Sequence, residues 1–181
     1  MSTRIALLRA VNVSGTGKLA MADLRAFFKA LGHPDARTLL QTGNVVFTAR
    51  DGNSPAELEA TLEREARDRL GLGTCFFVRD AKEWRSLVAD NPFPKESARD
   101  PARAVALLLK EAVAEERVED LRAAIAGPET VAAAGRTLYA LYPDGQGRSK
   151  LTLALIERRL GTRATARNWN TVLKIAKLAG T

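Results

Sequence analysis

One cysteine and one histidine occur in the 181 residues, and their scarcity removes whole classes of chemistry. Cys75 alone cannot form an internal disulfide, and Cys75 with His33 falls short of an ordinary zinc cage, so neither a disulfide scaffold nor a metal site is expected. Aromatic residues make up 6%, and no segment carries the RNP1 pattern with which open sheets stack RNA bases. The opening MSTRIALLRAVNV is interrupted by Arg4, Arg9 and Asn12, and no longer apolar run follows. A signal peptide, a membrane span and a membrane partner are therefore not expected, and the expected location is the cytoplasm. Acidic residues are nearly missing from one stretch: residues 145–181 hold Glu157 alone against eight basic residues, whereas residues 1–144 carry 20 of each sign. The whole net charge of +7 is C-terminal. Such asymmetry either attracts phosphate, carboxylate or nucleic acid, or is only a solvated basic face.

The rest of the composition, 46% hydrophobic and 27% charged, is that of a folded globular chain. RIALLRAV (4–11) is nearly continuous in apolar residues and reads as a buried strand. MADLRAFFKALG (21–32) spaces Met21, Leu24, Phe27, Phe28 and Leu31 by three and four and stops at Gly32 and Pro34, which predicts a helix. RTLLQTGNVVFTA (37–49) predicts two strands reversing at Gly43-Asn44. SPAELEATLEREARDRLGL (54–72) opens with Ser54, Pro55 and Glu57, the signature of a capping box, and TCFFV (74–78) closes the run as a strand. That order is the ferredoxin-like βαββαβ pattern. After a helix over 80–91 and the proline-containing 91–101, the order begins again. A strand over 102–110, a helix over 114–125, two strands within 129–143 and a helix over 147–161 lead to TRAT (162–165), at best a vestigial strand. A terminal helix runs from about Asn168 to Leu178. The expected fold is thus α/β (α+β), a tandem of duplicated ferredoxin-like units: a first half over 1–90, a linker over 91–101, and a second half over 102–181 ending in a basic helix. The halves share little sequence, so order alone carries the duplication.

Nucleophilic catalysis finds no constellation. His33 in LGHPD reads as a helix-end turn residue, Cys75 as core, and the carboxylates of ELEATLEREARD and EERVED as solvated helix faces. No catalytic residue and no cofactor is expected. NVSGTGK (12–18) lacks the Gly at 12 and the Ser or Thr at 19 that a Walker loop requires, since Asn12 and Leu19 stand there. Two readings of it stay open: an anion site made by Gly15, Gly17, Lys18 and a helix start, or a plain turn. GRSKL (147–151) sets Arg148, Ser149 and Lys150 at a second predicted helix start. In TARNWNTV (165–172), Trp169, Val172, Leu173 and Ala176 fall on one helical face, and Asn168 is placed to cap the helix. Arg167 and Asn170 have no such local duty. A cation beside a helix N-terminus is unfavourable by about 0.3–1 kcal/mol, which a bound anion relieves; a structural polar network is the alternative reading.

Four stretches taken together, IALLRAVNVSGTGKLAMADLRAFFKALG, QTGNVVF, NPF (91–93) and TARNWNTVLKIAKL, resemble the bacterial domain of unknown function 1697 family from end to end. The family's Gly-Ile-Asn-Val-Gly-Gly stands here as Ala10-Val11-Asn12-Val13-Ser14-Gly15, and its common Ser as Thr42. Arg9, Asn12, Lys18, Met21, Gly43, Asn44, Arg167, Asn168, Trp169 and Asn170 match. The resemblance implies a tandem ferredoxin-like protein and no particular activity. With the residues singled out for charge and capping, it yields a candidate ligand-binding set of Arg9, Asn12, Lys18, Asn44, Ser149, Lys150, Arg167, Asn168 and Asn170. The expected function is binding of an anion, nucleotide-like or nucleic-acid phosphate, in a basic cleft between the halves. Two alternatives stand beside it: an enzyme acting on a phosphorylated or carboxylated small substrate, and a scaffold without a ligand.

Overall fold

Apolar runs in this chain become central strands, and its three-and-four stripes become the helices that cover them. The computed structural model describes residues 1–12 and 18–181, which divide into two units, Met1–Ser86 with Lys174–Thr181, and Leu87–Leu173. The first unit runs β1 (Ser2–Leu8), α1 (Met21–Ala30), β2 (Arg37–Leu39), β3 (Asn44–Ala49), α2 (Pro55–Leu70) and β4 (Phe76–Asp80). Its antiparallel sheet has the order β2-β3-β1-β4. Ala6, Leu8, Phe47, Phe76 and Val78 point from one sheet face into a core shared with Leu24 and Phe28 of α1 and Leu62 of α2. The capping box of α2 is present: the Glu57 N–H donates to Ser54 Oγ at 3.2 Å, and the Ser54 N–H donates to Glu57 Oε2 at 2.8 Å.

After α3 (Ala81–Ala89) and α4 (Pro94–Arg99), the second unit repeats the order. It comprises β5 (Ala104–Leu109), α5 (Glu115–Ala123), β6 (Thr130–Ala134), β7 (Thr137–Leu141), α6 (Leu153–Leu160) and β8 (Ala164–Asn168); α7 (Trp169–Ala179) follows, its residues from Lys174 onward belonging to the first unit. Its sheet, β6-β7-β5-β8, has the same topology. Register makes the two units comparable residue by residue. The Leu8 N–H donates to Gly43 O as the Leu109 N–H does to Arg136 O, both at 2.9 Å. The Arg9 N–H donates to Cys75 O as the Lys110 N–H does to Arg163 O, both at 3.0 Å. On that correspondence Phe76 matches Ala164, and the two exposed-edge amides are sealed alike. The Phe76 N–H donates to Glu63 Oε1 and the Ala164 N–H to Glu157 Oε1, each at 2.9 Å. A helix glutamate thereby satisfies an edge donor that would otherwise invite another strand. Arg79 and Arg167 also match, paired in register with Ile5 and Ala106, and both are buried. Asp80 and Asn168 match as helix caps: the Glu83 N–H donates to Asp80 Oδ1 at 2.7 Å, and the Thr171 N–H to Asn168 Oδ1 at 3.0 Å.

Several local expectations need correction. The first hairpin reverses over 40–43, with Leu40 and Gly43 at φ 59° and 71°. Asn44 is the first residue of β3, and its buried amide donates to Leu39 O at 2.8 Å and Thr42 Oγ1 at 3.1 Å. The stretch read as vestigial is a full strand, because Ala164–Asn168 pair along β5 from Leu109 to Val105. Residues 94–99, within the expected linker, are helical, and Asn91 Nδ2 donates to Ser97 Oγ at 2.8 Å beneath them. The helix expected from 147 begins at Leu153, where Thr152 Oγ1 accepts from the Leu155 N–H at 3.2 Å. Arg148 instead ends a short 3₁₀ turn, and Ser149 is extended. On α7 the buried stripe is Trp169, Val172, Ile175 and Ala176, while Leu173 is 44% exposed.

Candidate functional site

Of the first-unit candidates, Asn12 and Asn44 have side-chain amides engaged in holding the backbone. Asn12 Nδ2 donates to Leu19 O at 2.7 Å and to Gln41 O at 2.8 Å, and Asn12 Oδ1 accepts from the Leu19 N–H at 2.8 Å. One amide thus ties the segment after β1 to both the start of α1 and the β2–β3 turn. Ala10, Asn12 and Leu40 are the described non-glycine residues in left-handed backbone, at φ 51°, 55° and 59°. Asn adopts that conformation readily, whereas Ala and Leu are strained by about 1–2 kcal/mol each. At Gly43 a Cβ would lie 2.8 Å from Leu8 Cβ, so the turn there requires glycine. Arg9 is half-buried, with its carbonyl accepting from Thr74 Oγ1 at 2.6 Å. Lys18 is exposed. Gly15 and Gly17, on which the loop reading rested, lie outside the described residues.

A different group forms in the second unit. Arg103 before β5, Gly127 and Glu129 before β6, and Asp144, Arg148, Ser149 and Lys150 between β7 and α6 line a hollow of about 430 Å³. Its walls are fixed by main-chain bonds. The Tyr142 N–H donates to Arg103 O at 2.9 Å, the Gly145 N–H to Tyr142 O at 2.8 Å, and Tyr142 Oη donates to Leu151 O at 3.1 Å. Burial, reinforced by the charge of Glu129, pushes the Tyr142 hydroxyl up to about 12, so it remains a donor. Ser149 Oγ donates to Glu129 Oε1 and accepts from the Leu151 N–H at 2.9 Å. Glu129 Oε2 lies over Gly127, where any Cβ would collide with it. Arg103 pairs with Asp100 at 3.1 Å, both about half exposed. Arg148 and Lys150 are exposed and have no ion pair among the described residues. The sequence placed Ser149 and Lys150 in the candidate set; it gave no sign of Glu129, which only the fold brings to them.

The β8–α7 candidates have structural duties. Arg167 is not beside a helix end in solvent but buried within β8. Its Nη1 donates to Ala166 O at 2.8 Å and Thr165 Oγ1 at 3.0 Å. Burial pulls the guanidinium down to about 10, so it still holds its charge at neutral pH. Asn168 caps α7, and Asn170 is exposed. The reading of all the α2 carboxylates as solvated fails at Glu59, which is 4% exposed, accepts from the Val78 N–H at 2.7 Å, and lies 3.7 Å from buried Arg79. A Glu directly after Leu58, in the second turn of a capped helix, gave no signal of that burial. His33 is half-buried, its Nδ1 2.8 Å from Thr48 O. A carbonyl only accepts, so Nδ1 is the donor in this contact. With Thr48, Arg50, Asn53 and Arg69, His33 lines a hollow of about 590 Å³ in the first unit. Both hollows lie at the same place in the repeat, beside the helix–strand turn that precedes the second strand and the segment that follows the third. Among the described residues no group of three or more His, Cys, Asp and Glu is arranged to hold a metal, and no helix is long and apolar enough to cross a membrane.

The fold defines a class, the tandem ferredoxin-like α/β proteins. Within it the chain belongs to the family described as Protein of unknown function (DUF1697), which matches residues 1–139; Ser149, Lys150 and Arg167 lie beyond the match. Among solved structures the chain is similar to the conserved bacterial protein SP0830 from Streptococcus pneumoniae. The two are 22% identical with a TM-score of 0.76 over 98% of each chain, a likeness that shows the fold. No curated protein matches the chain.

Proposed function

We propose that the second unit binds a small molecule bearing a phosphate or carboxylate, with Arg148 and Lys150 supplying the charge and Arg103 the rim. One observation carries the reading: three cationic residues, Arg103, Arg148 and Lys150, line a single hollow of about 430 Å³, a volume suited to a small ligand. Nucleic acid is less favoured. Base stacking on an open sheet face needs that face in solvent, and here Ile5, Leu7, Val46 and Phe77 of one sheet and Ala104, Ala106, Leu108 and Tyr139 of the other are all buried, on the faces opposite the helix-packed cores. The test is isothermal titration of the full chain with inorganic phosphate at low salt. Saturable binding that weakens several-fold in Arg148→Ala and in Lys150→Ala is expected. Binding left unchanged by both variants, or no binding at all, refutes the assignment; tight, steeply salt-dependent binding of single-stranded RNA instead transfers the site to nucleic acid.

A further inference from the structure

The carboxylate in this hollow narrows the ligand further than charge alone. A site made only for anions would exclude acids from its lining, because a carboxylate at close range disfavours a phosphate. Glu129 is instead built in. Ser149 Oγ donates to Oε1, and Oε2 lies close over Gly127. No salt bridge to Glu129 occurs among the described residues, although Arg103, Arg148 and Lys150 line the same hollow. Asp144 adds a second carboxylate at the rim. The lining therefore presents both signs of charge in one hollow, a carboxylate held by Ser149 and the exposed cations Arg148 and Lys150.

Resting on the anion reading above, we propose that the natural ligand is a small zwitterion, one that carries an ammonium group for Glu129 as well as a phosphate or carboxylate for Arg148 and Lys150. The two halves of such a ligand satisfy both signs of charge, whereas a bare anion meets Glu129 with nothing to offer it. Ser149 is the positioning residue, since its hydroxyl fixes the carboxylate that reads the ammonium.

O-phosphoethanolamine, inorganic phosphate and ethanolamine are the probes, titrated calorimetrically against the full chain and Glu129→Gln. Wild type is expected to bind phosphoethanolamine at least tenfold more tightly than phosphate. Glu129→Gln, which keeps an oxygen for the Ser149 hydroxyl, is expected to lose that tenfold preference while binding phosphate as well as wild type or better. This inversion of sign is what a merely structural role for Glu129 does not produce, since loss of structure weakens both probes. Equal affinity of wild type for the two probes overturns the zwitterion proposal and leaves the anion reading standing. Failure of both probes to bind overturns both. Should Glu129→Gln not fold, as judged by circular dichroism, the ranking of the three probes on wild type decides alone.

Discussion

Replacing Glu59 by Gln removes one charge from the interior of the first unit and almost nothing else. The amide keeps an oxygen for the Val78 N–H, now 2.7 Å from Glu59 Oε1, while Arg79 loses the carboxylate 3.7 Å from its Nη1. At that separation the gross attraction is about 4–5 kcal/mol for an effective dielectric of about 20. Both side chains are only 3% and 6% exposed, so solvent cannot make good the loss. Breaking one side of such a pair costs roughly 3–5 kcal/mol, against about 5–15 kcal/mol for the whole fold. The double variant Glu59→Gln/Arg79→Met removes both charges, and its stability should return to within about 1–2 kcal/mol of wild type, because the desolvation of both ions is also removed. Urea denaturation of wild type, the two single variants and the double variant closes the cycle, and the double variant is expected to be more stable than either single variant. A Glu59→Gln variant that loses less than about 1 kcal/mol, with no coupling in the cycle, refutes the view that this ion pair is energetically committed to the core.

Three further outcomes follow from the geometry. Ala10→Gly should stabilise by up to about 1 kcal/mol, because relief of a left-handed alanine (about 1–2 kcal/mol) exceeds the entropic penalty of glycine (about 0.5–1 kcal/mol); a lowered melting temperature contradicts it. Asn12→Ala should cost about 2–3 kcal/mol and speed hydrogen exchange of the Leu19 amide, since three hydrogen bonds end on that one side chain; an unchanged Leu19 exchange rate counts against the clamp. Burial, with the charge of Asp90, pushes Tyr139 up to about 12, and burial, with that of Glu129, does the same to Tyr142. Their folded values exceed the unfolded value of about 10, so their contribution is complete below pH 10 and is lost as pH rises toward 12, by up to about 1.4 kcal/mol per unit for each. Tyr139→Phe should flatten that alkaline decline in chemical denaturation while costing about 1 kcal/mol at neutral pH through loss of its 2.8 Å bond to Leu87 O; a decline as steep as wild type removes Tyr139 from it.

Element order was legible because apolar periodicity and capping chemistry are local. Ser54, Pro55 and Glu57 announce a helix start whatever surrounds them, and IALL can only be a buried strand. What failed was whatever depends on a partner far along the chain. Ala164–Asn168 look too polar for a strand until β5 supplies five partners and Glu157 seals the outer edge. Arg167 looks like a surface cation until that strand carries it inside. A signal was present but unread: Arg79-Asp80 and Arg167-Asn168 each place an arginine before a helix-capping residue at the end of the fourth strand, a likeness between halves that otherwise share little sequence. Of the candidate set, Asn12, Asn44 and Asn168 hydrogen-bond nearby backbone, a task that sequence does not distinguish from ligand binding because both call for the same amide.

Where the two units diverge says more about function than where they agree. Strand ends, edge seals and caps coincide because each solves a folding problem that both units share. The segment between third strand and second helix does not: it is residues 50–54 in the first unit and 142–152 in the second. The added length holds Asp144, Arg148, Ser149 and Lys150, which supply most of the charge around the second hollow. The same place in the first unit presents His33, Arg50 and Asn53. Folding needs no such extension, since the shorter connection makes the same turn from strand to helix. A loop that is lengthened on a fixed scaffold, carries Arg148 and Lys150 without an ion pair among the described residues and sits against Glu129 is the part of this molecule whose composition stability does not explain.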